Sequence, residues 1–165
     1  MQSSVDEKGK LDAESWTDKD GQTHALHLWP CAPFLAQYVW RKREEVRGKT
    51  VLELGAGGTA LPSIVAAKAG AALVLASDHP AQTNGASLGR RNALLNEVSD
   101  RVQFVGLEWG KVDEALLKLP PLHFILASDA FFHPSFFPPL IRTIAFLLKA
   151  NSGCRCIVSE ANPGK

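Results

Sequence analysis

The residues of this chain whose types and spacing could do chemistry form a short series. They are Glu53 with Gly55-Ala56-Gly57-Gly58 just after it, then Asp78, Glu108-Trp109 and Ser128-Asp129. Glycines between a strand and a helix allow positive φ and let a ligand approach the backbone without meeting a Cβ. Such a turn also brings backbone N–H groups and the positive helix end towards one point. An acidic residue about 20 positions further on, here Asp78, can accept hydrogen bonds from both hydroxyls of a ribose. Trp109 can stack on an adenine or pack as core beneath a loop, and the Glu108 carboxylate can accept the adenine amino proton. Together these residues describe an adenosine site. Each also has a plainer reading. Asp78 can cap a turn, Trp29 and Trp109 can be core, and Arg90-Arg91 can be a solvated helix face. His24, His27 and Cys31 have no second ligand pair, so no metal site is expected.

Two adenosyl cofactors compete for the glycine turn. A dinucleotide fingerprint would read G-x-G-x-x-G, but this turn runs Gly55-Ala56-Gly57-Gly58-Thr59-Ala60 and lacks the third glycine. The one tyrosine, Tyr38, precedes the turn, so no Tyr-x-x-x-Lys pair can follow it. S-adenosyl-L-methionine fits better, because Glu53 at the strand end can face the ammonium or sulfonium side of that cofactor.

The elements that must hold these residues alternate. Apolar helical spacing after Trp29-Pro30-Cys31-Ala32-Pro33, up to Gly48, predicts a first helix, with a short strand at His24–Leu28 before it. Buried strands are expected at Thr50–Leu54, Ala72–Ala76, Val102–Val105, Phe124–Ala127 and Cys154–Val158. Helices are expected at Leu61–Ala69, Ala86–Glu97, Val112–Leu119 and Phe136–Ala150. Strand–helix alternation calls for a mainly parallel, doubly wound α/β sheet of Rossmann-like type, with ligands outside the strand carboxyl ends. Each feature of the series above falls at such an end.

Composition agrees with one soluble domain: 165 residues, 45% hydrophobic and 21% charged, with a net charge of +1. That charge gives no general attraction to nucleic acid or membrane. No apolar run reaches a membrane span of about 20 residues. Three cysteines, an odd number, read as reduced thiols of a nuclear or cytosolic protein. Residues 1–24 are polar and read as a flexible arm, leaving 25–165 as the cofactor-binding domain.

Four blocks carry a family likeness: Leu28-Trp29-Pro30-Cys31-Ala32, Val51-Leu52-Glu53-Leu54-Gly55-Ala56-Gly57, Gly106-Leu107-Glu108-Trp109-Gly110 and Ile125-Leu126-Ala127-Ser128-Asp129-Ala130-Phe131-Phe132. With them the chain, over about residues 25–160, resembles the seven-β-strand protein methyltransferases of the methyltransferase-like group, which includes several lysine methyltransferases. The resemblance implies transfer of a methyl group from S-adenosyl-L-methionine to a side-chain nitrogen, arginine or lysine, of a protein such as a histone or chaperone-type protein. By the same resemblance Trp29 lines the cofactor pocket, while Gly55, Ala56 and Gly57 hold the methionine part with Glu53. Asp78 takes the ribose, Glu108 and Trp109 the adenine side, and Ser128 touches the cofactor. Asp129 and Phe132 border the target channel. Ala60 and Ser63 stand where the family commonly has glycine. The family sheet has two further strands, so the chain is expected to be C-terminally incomplete. A shortened, non-catalytic form that binds or regulates a partner is the alternative. The implied location is nucleus and cytoplasm, without membrane or direct nucleic-acid contact.

Overall fold

The computed structural model describes residues 26–161. The arm at residues 1–24 therefore lies outside the described residues, as does the start of the strand expected at His24–Leu28. Its described part, residues 26–28, is not strand.

Five strands form one parallel sheet: β1 (Thr50–Leu54), β2 (Leu73–Asp78), β3 (Val102–Gly106), β4 (Phe124–Ser128) and β5 (Arg155–Ser159). Their spatial order is β3-β2-β1-β4-β5, so the chain reverses direction of winding between β1 and β4. Clefts for ligands open at that reversal, at the strand carboxyl ends. Among the described residues β5 is an edge, paired only with β4.

Side-chain alternation sorts the core into two layers. Val51, Val74, Phe124 and Leu126 pack with Leu35, Val39, Ile64, Ala67 and Ala93 on one face. Those partners come from α1 (Cys31–Arg41), α3 (Leu61–Lys68) and α4 (Thr83–Leu95). Leu52, Leu54, Leu75, Ile125 and Ala127 pack with Leu116, Leu140 and Leu147 on the other. Those lie on the short α5 (Glu114–Leu117) and on α6 (Phe137–Ala150). The doubly wound α/β architecture follows from those two covered faces.

Element bounds differ from the sequence reading in ways with physical causes. The first helix is divided at Lys42, where φ −96° and ψ 18° leave the helical basin, into α1 and α2 (Arg43–Val46). The second strand runs on to Asp78, because Ser77 and Asp78 pair with Val105 and Gly106. Ladder hydrogen bonds continue where the apolar run has stopped. The helix expected at Val112–Leu119 shrinks to Glu114–Leu117, opened by Asp113, whose side chain accepts from Leu116 N–H. A 3₁₀ turn, Pro134–Phe136, leads into α6, and Pro138-Pro139 occupy the first turn, where a helix leaves its N–H groups unused.

Candidate functional site

The β1–α3 turn begins at Gly55, with φ +73°, and Gly57 follows at φ +58°, both in the left-handed region that suits glycine. Ala60 also adopts that region, at φ +45°, immediately before α3. The turn is knitted to β2: Ala56 N–H donates to the Ser77 carbonyl at 2.9 Å, and Gly57 N–H donates to Asp78 Oδ2 at 2.9 Å. From α4, Asn92 Nδ2 donates to the Gly58 carbonyl at 3.0 Å. Asp78 Oδ1 accepts from His79 N–H at 2.7 Å, so both its oxygens take backbone protons. Burial raises the Asp78 pKa despite these two bonds.

Glu53 is 1% exposed, and its Oε2 accepts from Ser63 N–H at 2.9 Å and from Ser63 Oγ–H at 2.5 Å. Desolvation, opposed by the Ser63 bonds and aided by the Asp78 charge, pushes Glu53 up to about 7. A buried carboxylate thus already caps α3. The positive helix end, which a phosphate would otherwise seek, is matched from inside the fold.

Trp109 is brought onto the turn. A Cβ placed on Gly55 would lie 3.2 Å from the Trp109 ring. The ring meets Phe136 edge-on at 6.0 Å, Phe136 meets Phe132 at 5.0 Å, and Phe132 meets Trp29 at 5.8 Å. A row of aromatic rings thus joins the post-β3 turn, the post-β4 turn and the start of α1. Glu108 is exposed and pairs with Lys111 at 3.3 Å.

Ser128, at the end of β4, is 8% exposed, and Asp129 follows it at φ +49° and 9% exposed. Asp129 Oδ2 accepts from Cys31 N–H, the first residue of α1, at 2.6 Å. The Cys31 thiol beside it has a raised pKa, chiefly through burial and then through the Asp129 carboxylate. Glu160, just past β5, presents Oε1 to Ala130 N–H at 2.7 Å and Phe131 N–H at 3.1 Å.

The residues singled out in sequence therefore gather at one end of the sheet: Trp29, Glu53, Gly55, Ala56, Gly57, Asp78, Trp109, Ser128, Asp129 and Phe132. Glu108 belongs to the same turn as Trp109 but is engaged with Lys111 at the surface. Three contributors escaped the sequence reading. Ser63 is the partner of Glu53, Asn92 steadies the glycine turn from another helix, and Glu160 holds the turn after β4. No local spacing signals them, since each acts on backbone or carboxylate 10 to 34 positions away. Among the described residues no group of three or more His, Cys, Asp or Glu could hold a metal ion.

A family model described as lysine methyltransferase matches residues 9–162 of this chain. Among curated proteins, the histone-arginine methyltransferase METTL23 of Homo sapiens is 44% identical over 126 residues, covering 76% of this chain and 65% of that protein. Its Mus musculus counterpart is 41% identical over 128 residues, covering 78% and 49%. The protein N-terminal and lysine N-methyltransferase efm7 of Schizosaccharomyces pombe is 31% identical over 133 residues, covering 77% and 52%. The chain thus spans about half to two thirds of the length of these relatives. Among solved structures, TrmN from Thermus thermophilus superposes with a TM-score of 0.63 at 22% identity, covering 80% of this chain and 39% of that one. A methyltransferase from Geobacter sulfurreducens in complex with S-adenosyl-L-homocysteine gives 0.59 at 18% identity, covering 80% and 50%. At such identities the likeness establishes the fold.

Proposed function

We infer the activity from one premise: this chain belongs to the lysine methyltransferase family, whose model spans residues 9–162. The protein is an S-adenosyl-L-methionine-dependent methyltransferase acting on a side-chain nitrogen of a protein substrate. One observation carries the choice of cofactor. Dinucleotides seat a pyrophosphate at the helix end after the glycine turn. Here the buried Glu53 side chain caps that end through Ser63, and Asp78 takes the Gly57 amide of the turn itself. The amides that a pyrophosphate would use, those of Gly57 and Ser63, are already taken by Asp78 and Glu53, whereas a ligand carrying a sulfonium and an ammonium needs no such donors.

The residues present fit that ligand. Gly55 and Gly57 give the turn its left-handed course, with Ala56 between them, and Glu53 braces it from beneath through Ser63. Asp78 suits the ribose hydroxyls, Trp109 and Glu108 flank the adenine side, and Ser128 and Trp29 border the rest. When bound, the cofactor supplies an electrophilic methyl group on sulfur. The chain's own part is alignment and exclusion of water. Trp29, Phe132 and Phe136 wall the target side with apolar rings. Asp129 holds a carboxylate there that can pair with a cationic target and orient its nitrogen.

Whether that nitrogen belongs to arginine or lysine separates the relatives themselves, and a histone or chaperone-type protein is the proposed partner, without direct nucleic-acid contact. No helix among the described residues is long and apolar enough to cross a membrane. The free thiols of Cys31, Cys154 and Cys156 support action in a reducing nucleus and cytoplasm. Calorimetry with S-adenosyl-L-methionine, S-adenosyl-L-homocysteine and NAD tests the cofactor, and NAD binding alone would overturn the reading. Transfer of a labelled methyl group into histones or a cell extract, read by mass spectrometry, tests the reaction. Cofactor binding with no transfer would favour the partner-binding, non-catalytic form.

A further inference from the structure

We propose that Glu160 is a positioning residue for the target side of this site, fixing the turn after β4 and, through it, Asp129 and Phe132. The proposal rests on the methyltransferase reading above. Glu160 directly follows β5, and its Oε1 accepts from Ala130 N–H at 2.7 Å and Phe131 N–H at 3.1 Å. The preceding amide, Asp129 N–H, donates to the Ser159 carbonyl at 2.9 Å. Three consecutive amides of the turn are thereby fastened to the end of β5.

The turn needs such fastening. Asp129 holds φ +49°, a left-handed conformation that Asp adopts more readily than most residues with a Cβ but that still gains from being held in place. A single carboxylate oxygen facing two successive N–H groups does this, because the pair converges only when the turn is wound this way. The consequence reaches the site by two routes. Asp129 is held where its Oδ2 meets Cys31 N–H at 2.6 Å, tying the turn to α1. Phe132 is held against Trp29 at 5.8 Å and Phe136 at 5.0 Å. Glu160 thus acts through hydrogen-bond acceptance at the backbone. A direct role as a second carboxylate on the target cation is the competing account.

Glu160→Gln separates the two, since the amide carbonyl still accepts from both N–H groups while the charge is gone. In the full chain, Glu160→Ala is expected to lower kcat about tenfold to a hundredfold while cofactor affinity by calorimetry stays near wild type. Amide hydrogen exchange of residues 129–132 is expected to speed up in the same variant. Glu160→Gln is expected to restore most of kcat and of the protection. Should Glu160→Ala fail to fold, Glu160→Asp takes its place, keeping the charge but drawing the carboxylate back by one methylene. It is then expected to be slow and poorly protected. A Gln variant as slow as Ala with normal protection would mean that charge matters, and would overturn the proposal. So would unchanged exchange in Glu160→Ala or Glu160→Asp. If the wild-type chain binds no S-adenosyl-L-methionine, the methyltransferase reading falls, while the exchange measurement still decides whether Glu160 holds the turn.

Discussion

Glu53 shows how one side chain can be legible as important while its engagement is hidden. An acid before a glycine turn stands out in the sequence, but its partner, Ser63, lies 10 positions on, in the following helix. The structure puts the carboxylate 2.5 Å from the Ser63 hydroxyl and 1% exposed. Burial lifts its pKa from 4.5 to about 7, so folding takes up a proton between those values. Its contribution is therefore fully present in acid, below pH 4.5, and is lost as pH rises through about 7. Glu53→Gln removes the titration. Relative to wild type, the variant is expected to gain about 3 kcal/mol between pH 4.5 and 7.5, checked by urea unfolding across that range. A difference that does not vary with pH would show that Glu53 titrates normally. Gly55 gives a second residue-level expectation. Gly55→Ala places a Cβ 3.2 Å from the Trp109 ring at φ +73°. It should destabilise the fold by about 1–2 kcal/mol through the left-handed strain alone. It should also weaken S-adenosyl-L-methionine binding in calorimetry by displacing Trp109.

At the scale of elements, the β/α alternation was legible because apolar runs and helical spacing are local signals. What was not legible is where elements end. Asp78 belongs to β2 because its backbone pairs with Gly106, a fact about a neighbouring strand rather than about hydropathy. The anchorage of the post-β3 turn was invisible in the sequence. Gly110, at φ +82°, donates its N–H to Thr143 Oγ1 at 2.8 Å on α6, and a Cβ there would lie 2.7 Å from Pro139 Cβ and 3.1 Å from its Cα. Only glycine permits both the conformation and the approach, and together they fix Trp109 over the glycine turn. Gly110→Ala combines left-handed strain with overpacking against a helix start. It is expected to cost about 2–4 kcal/mol by denaturant unfolding. An effect under about 0.5 kcal/mol would mean that the turn is not clamped to α6 as described.

At the scale of the whole molecule, the order β3-β2-β1-β4-β5 puts the carboxyl ends of β1 and β4 side by side, flanked by β2 and β5. Each adjacent strand end contributes one acid: Glu53 in β1, Asp78 at the end of β2, Asp129 after β4 and Glu160 after β5. The sequence supplied three of these at recognisable spacings. The fourth emerged only once β5 was laid beside β4. A ligand bridging these ends stabilises the native sheet as a unit, because the unfolded chain has no such edge to bind it. S-adenosyl-L-homocysteine at about 100 times its dissociation constant should add about 2.7 kcal/mol, a rise in Tm of about 5–10 °C for a chain of this size. NAD at the same concentration should produce none. Asp78→Ala complicates the absolute Tm, since it also takes the acceptor from Gly57 N–H and loosens the turn without any ligand. The informative quantity is therefore the increment on adding S-adenosyl-L-homocysteine, measured within each variant by scanning calorimetry. That increment should nearly vanish in Asp78→Ala and persist in Glu160→Gln, whose charge lies on the target side. An undiminished increment in Asp78→Ala would place the ribose elsewhere on this edge and would remove Asp78 from the cofactor site.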